Sequence, residues 1–163
     1  MRILRVGILG LGFMGHRFSA ITRELPTAKL VAVADIREEI GRKVAAENGA
    51  EYISDGLDLV RRPDIEAVVI CTPEDAHVDY CLEAIRLGKA VLVEKPISHT
   101  VESAEEISRA ARQRGVTLMV GHTLRFNPAW SQAKSRASMV RASSPACRHT
   151  ASRSRDRVSP GRR

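Results

Sequence analysis

The 163-residue chain carries 26 Lys and Arg against 19 Asp and Glu, a net charge of +7 that at first sight suggests a nucleic-acid binder. The charge is uneven: residues 1–130 hold 17 basic and 18 acidic side chains, whereas 131–163 hold 9 basic residues and one acid, Asp156. The basic character therefore belongs to the segment 131–163, and a basic patch on the fold is not implied. Apolar runs of five or six residues fall far short of the ~20 that a membrane helix needs. Cys71, Cys81 and Cys147 show neither paired nor C-x-x-C spacing, so no disulfide framework and no metal site is expected. The opening MRILRVGILGLGFMG superficially resembles a signal peptide, but its four glycines and the His16-Arg17 that follow argue against one. A reducing cytoplasm is the expected location.

Taken in chain order, apolar runs of strand type alternate with helical stripes. Val6–Leu9 reads as a buried strand ending at Gly10. Met14, Phe18, Ile21 and Leu25 then form a helical stripe closed by Pro26. Leu30–Ala34 is a second strand, ended by Asp35, and Ile40 and Val44 mark a helix stopping at Gly49. A short strand near Tyr52 and a helical turn around Leu57 and Val60 lead to a third strong strand, Ala67–Cys71. Thr72-Pro73 is expected to open a helix that carries Val78, Leu82 and Ile85 and ends at Gly88. Ala90–Val93 is a strand, Ser98 or Thr100 caps a helix ending at Gly115, and Thr117–Val120 is the last strand. Such alternation requires crossover connections, so the expected fold is α/β, a doubly wound parallel sheet of Rossmann type.

At Ser131 the pattern ends. The segment 131–163 contains 8 Ser, 8 Arg and 5 Ala and lacks aromatic residues, Leu and Ile, so it is expected to be disordered. Ser, Arg, Ala, Pro and Gly dominate it, the composition of a GC-rich gene read out of frame, and that is the favoured explanation of the tail. A genuine basic tail would bind nucleic acid only non-specifically, having no aromatic residue for base stacking. The expected division is a dinucleotide-binding domain over 1–121, a hinge segment over 122–130 and the tail over 131–163.

The chemistry-bearing residues gather where the strands end. Gly10-Leu11-Gly12-Phe13-Met14-Gly15 is G-x-G-x-x-G, placed after a strand and at the opening of a helix, and Asp35 supplies the acid expected further on, at the end of the next strand. Gly10 permits a tight turn, Gly12 lets the backbone approach a pyrophosphate, and Gly15 allows close helix–strand packing. The helix N-terminus adds free N–H groups and a positive dipole. Asp35 is placed to accept hydrogen bonds from both adenosine ribose hydroxyls, which favours NAD. Arg37 could instead pair with a 2′-phosphate and admit NADP. From spacing alone, Thr72 reads as readily as a cap and His77 as a surface histidine, while a solvated lysine is the favoured reading of Lys95 and a solvated polar loop that of 121–128.

Four motifs in register, G-L-G-F-M-G, C-T-P-x-x-x-H, E-K-P and G-H-x-x-R-F-N-P, resemble the Gfo/Idh/MocA oxidoreductases over Met1 to about Trp130. The resemblance implies that Gly10, Gly12, Gly15 and Asp35 hold a dinucleotide, with Leu11, Phe13, Met14 and Arg37 beside them. It implies that Cys71, Thr72, Pro73, His77 and Glu94 run along the nicotinamide half, and that Lys95 is the active-site lysine. His122, Arg125 and Asn127 would line the mouth of the substrate side. The implied reaction is hydride transfer between NAD, or NADP, and a sugar, cyclitol or related polyol, with no nucleic-acid or membrane partner. The family continues after R-F-N-P with a second α/β domain of roughly 200 residues, which supplies most substrate contacts and the usual oligomer interface. Nothing in the segment after Trp130 resembles it, so turnover is expected to be impaired. A non-catalytic NAD-binding module is the alternative.

Overall fold

The structure, a computed structural model, describes residues 2–143. Contacts divide the chain into two units, one ending at Gly121 and one beginning at His122. The first unit alternates strand and helix throughout: β1 (Leu4–Leu9), α1 (Phe13–Glu24), β2 (Ala28–Ala34), α2 (Glu38–Asn48), β3 (Glu51–Ile53), α3 (Gly56–Arg61), β4 (Ala67–Ile70), α4 (His77–Arg86), β5 (Ala90–Val93), α5 (Val101–Arg114) and β6 (Leu118–Val120). All pairings are parallel and the sheet order is β3-β2-β1-β4-β5-β6. The order reverses between β1 and β4, so the chain leaves these neighbours toward opposite sides and opens a crevice at their carboxyl ends. The doubly wound sheet expected from the sequence is the fold observed.

The sheet is buried on both faces, which is why its strands read as continuous apolar runs rather than alternating ones. Successive side chains point to opposite faces. Leu9, Val68, Ile70, Val91 and Val93 enter one core with Leu59 and Val60 of α3, Cys81 and Ile85 of α4, and Ile107 and Ala111 of α5. Val6, Ile8, Val33 and Val69 enter the other, with Val44 and Ala45 of α2 and partly buried Phe18 of α1. Helix ends follow the expected chemistry: Gly49 and Gly115 close α2 and α5 in the left-handed region, and Thr100 Oγ1 accepts from the Ser103 N–H at the start of α5.

Two expectations are revised. Thr72-Pro73 does not open an α-helix. Pro73 has ψ of 149°, a 3-10 turn follows at Glu74–Ala76, and α4 proper starts at His77. The tail assignment is revised as well: in the second unit a 3-10 turn (Thr123–Phe126) precedes helix α6, Pro128–Ser143, so residues 131–143 are helical. Proline at the first position is tolerated there, and Ala, Gln, Lys, Arg and Met with no later Gly or Pro favour helix. The rest of the expected tail, 144–163, lies outside the described residues. Leu124, Phe126 and Trp130 of this unit are exposed. Among the described residues no helix is long and apolar enough to cross a membrane.

Ile107 is fully buried and, with Ala111, anchors the otherwise polar α5. Ile107→Ala should cost about 2–5 kcal/mol in urea unfolding. Glu105→Ala on the exposed face of the same helix should stay within about 0.5 kcal/mol.

Candidate functional site

The carboxyl ends of β1, β2 and β4 meet around a cleft of about 510 Å³. Its lining comes from the β1 turn (Gly10, Gly12), the end of β2 (Asp35, Ile36, Arg37), the segment after β3 (Ser54, Gly56) and the segment after β4 (Cys71, Thr72, Pro73, Ala76), with Tyr80 of α4. The turn after β1 is locked against its surroundings. Gly10 has φ of +79°, and a Cβ there would lie 2.5 Å from the Thr72 nitrogen and 2.6 Å from the Cys71 carbonyl. A Cβ at Gly15 would lie 1.9 Å from the Gly10 oxygen. Gly12 differs from both: its φ of −68° suits any residue, and a Cβ there would meet nothing within 4 Å. No protein contact demands a glycine at that position.

Asp35 ties this turn to the end of β2. Its Oδ2 accepts from the Leu11 N–H at 2.6 Å and its Oδ1 from the Arg37 N–H at 2.9 Å. The Arg37 guanidinium donates to both oxygens, Nε to Oδ1 and Nη2 to Oδ2, each at 2.9 Å. These donors, the Arg37 side chain first among them, hold the carboxyl at about 2, below its ordinary 3.8, against the opposing effect of burial. Tyr52 packs its ring over Gly41 of α2 and donates from its hydroxyl to the Asp35 carbonyl at 3.1 Å, so β3 also holds this corner.

The β4 and β5 ends differ in character. Cys71 is a thiol whose pKa is pushed up to about 12, by burial and then by the charge of Glu94. The buried Thr72 Oγ1 and Glu94 Oε1 have no hydrogen-bond partner among the described residues. The other Glu94 oxygen accepts from the Lys95 N–H at 3.1 Å, and the carboxylate rests against Gly121, where a Cβ would meet Oε1 at 2.8 Å. Lys95 itself is exposed.

The sequence-derived residues thus separate into groups. Gly10, Gly12, Asp35, Arg37, Cys71, Thr72 and Pro73 line one cleft. Leu11 and Phe13 border a neighbouring hollow with Gly12, His16, Arg17 and Arg37, and Phe13 is 80% exposed. Met14 is half-buried, Gly15 packs on Gly10, and Glu94 and Lys95 follow β5. His77 does not line the cleft. It is 1% exposed, with Nδ1 2.9 Å from the Pro96 oxygen and Nε2 2.9 Å from the Thr72 oxygen, so its ring braces the segments after β4 and β5 against each other. His122, Arg125 and Asn127 are exposed in the second unit. Ser54, Gly56 and Tyr80 were not anticipated: they come from a short strand exit and a helix face that carry no motif.

A family model described as an oxidoreductase family with an NAD-binding Rossmann fold matches residues 4–122. The chain belongs to the Gfo/Idh/MocA oxidoreductase family. It is 36% identical over 135 residues to a scyllo-inositol 2-dehydrogenase (NAD(+)) of Bacillus subtilis (strain 168), covering 82% of this chain and 40% of that one. It is 37% identical over 127 residues to an inositol 2-dehydrogenase of Rubrobacter xylanophilus, covering 77% and 37%. A solved scyllo-inositol dehydrogenase from Lactobacillus casei, with bound NAD(H) and scyllo-inositol, superposes with a TM-score of 0.79 at 28% identity, covering 85% of this chain and 42% of that one. The chain therefore spans about 40% of the length of these relatives.

Because the Asp35 carboxyl is held down on folding, it stabilises the native state fully above pH 3.8, and that contribution is lost as pH falls toward about 2. Arg37 is half exposed, so the amount is on the order of 1 kcal/mol after solvent screening. In acid-unfolding curves, wild type should therefore lose its advantage over Asp35→Asn between pH 4 and 2.

Proposed function

We propose that this chain is the cofactor-binding half of an NAD-dependent oxidoreductase acting on a sugar, cyclitol or related polyol. Gly12 carries the reading. Neither its dihedrals nor its packing calls for glycine, and it stands at the N-terminus of α1 on the wall of the cleft, where a side chain would fill the space a pyrophosphate needs. Asp35 supports NAD over NADP, since its buried carboxylate suits a ribose diol and would repel a 2′-phosphate. The names of the relatives, inositol dehydrogenases, support the polyol class.

The residues fit a nicotinamide dinucleotide, which supplies a hydride acceptor when bound. Gly10 and Gly12 give the phosphates room, and the α1 N-terminus offers them N–H donors. The unpartnered Thr72 Oγ1 and Glu94 Oε1, at the β4 and β5 ends, offer polar contacts toward the reacting end. Lys95, exposed at the β5 exit, takes the hydroxyl proton of the alcohol as hydride leaves its carbon, or returns it in the reverse direction. His122, Arg125 and Asn127 belong to a hinge over 122–130 that leads toward substrate, a reading supported by the family model's end at residue 122. Orientation of substrate is a large part of such a rate, and the residues matched here are the cofactor-binding share, about 40%, of the relatives' length.

Gly12→Ala separates binding from folding. The variant should melt with wild type, because its Cβ meets no protein atom, yet bind NAD+ at least about tenfold more weakly, ~1.4 kcal/mol, by calorimetry. Equal affinity in the two proteins would remove the basis of the reading.

A further inference from the structure

The Asp35 carboxylate is saturated from within the chain. A carboxylate offers about four acceptor positions, and here all are filled, two on each oxygen. On each oxygen one position goes to a backbone donor: Leu11 N–H on Oδ2 and Arg37 N–H on Oδ1. On each oxygen the other goes to the Arg37 guanidinium, through Nη2 and Nε. The Asp35 side chain is 4% exposed and that of Arg37 52%, and both residues line the cleft, so solvent reaches the pair through the arginine.

We propose that the Arg37 guanidinium is an internal competitor of the cofactor, occupying the two acceptor positions that the vicinal hydroxyls of an adenosine ribose would take. The backbone donors are part of the fold and stay in place. When the guanidinium leaves, one position opens on each carboxylate oxygen, which is what a cis-diol with two adjacent O–H donors requires. Binding is then an exchange of one two-pronged donor for another, and no covalent bond changes. The same swing has the opposite consequence for a 2′-phosphorylated cofactor. A phosphate brings no donor to Asp35 and repels it, but the freed guanidinium can pair with phosphate oxygens through two parallel N–H donors. Arg37 thus weakens binding of the diol form and supports binding of the phosphorylated form, setting how far the site discriminates between them. The inference rests on the reading that this cleft receives an adenosine ribose.

Calorimetric dissociation constants of NAD+ and NADP+ for the full chain, Arg37→Ala and Arg37→Lys test it, with Asp35→Ala as the control on the underlying reading. Arg37 is exposed, and matching thermal melts would verify that each variant folds. Arg37→Ala should bind NAD+ about 2- to 5-fold more tightly, the worth of a partly exposed ion pair no longer to be broken. The same variant should bind NADP+ about tenfold more weakly. Arg37→Lys should share the gain for NAD+, because a point-charge ammonium cannot span both oxygens, and should keep more of the NADP+ affinity than alanine does. If Arg37→Ala binds NAD+ no more tightly than wild type while Asp35→Ala loses it, the exchange is overturned and the cofactor reading stands. If wild type binds no NAD+, or Asp35→Ala binds it equally well, the placement of the ribose at Asp35 fails, and the exchange with it.

Discussion

At the crevice between β1 and β4 three stretches of backbone come closer than side chains permit. The Gly10 oxygen sits where a Cβ of residue 15 would be, 1.9 Å away, and Gly10 itself lies against the peptide joining Cys71 to Thr72. This backbone-to-backbone contact lets α1 start immediately after β1, aimed at the crevice, and it fixes the β4 exit relative to the β1 turn. The sheet order supplies the gap and the glycines set its width. The Leu11 N–H reaches Asp35 from this tight turn, and Thr72, whose backbone lies against Gly10, lines the cleft.

On this frame the electrostatics divide along the sheet. At the β2 side a buried carboxylate is held ionised by two backbone N–H groups and one guanidinium. At the β4 and β5 side, Cys71 is kept neutral, and two buried oxygens, on Thr72 and Glu94, have no partner among the described residues. Leaving a buried acceptor unmet costs about 1–3 kcal/mol. The His77 ring, packed between the carbonyls of Thr72 and Pro96, links the two exits. The β2 side thus presents a carboxylate closed by its own chain, and the β4 and β5 exits present two unpartnered oxygens near an exposed lysine.

Much of this was legible in the sequence because the constraints are local. Parallel strands buried on both faces leave apolar runs, and the tight turn, close approach and helix start demand glycine at fixed offsets, with the acid at the end of the following strand. What escaped depends on side-chain direction or on contacts between elements distant in sequence. C-T-P-x-x-x-H locates His77 but not the way its ring turns into the protein. D-I-R shows an acid and a base two residues apart without showing that they close on each other. Gly41 and Tyr52 meet only because α2 folds back over β3. Low apolar content hides the helix over Pro128–Ser143, in which nine of 16 residues are Ala, Gln, Lys, Arg or Met and favour helix by propensity.

If the glycine turn, the end of β2 and the exit of β4 form one dinucleotide site, titration of the full chain with NAD+ followed by backbone amide NMR will give shifts concentrated at residues 10–15, 35–37 and 71–76. These shifts should saturate with one common dissociation constant, while the opposite edge of the sheet around Lys89 and Thr117 stays still. Shifts spread over the surface without saturation, or confined to that opposite edge, would rule out a single site there.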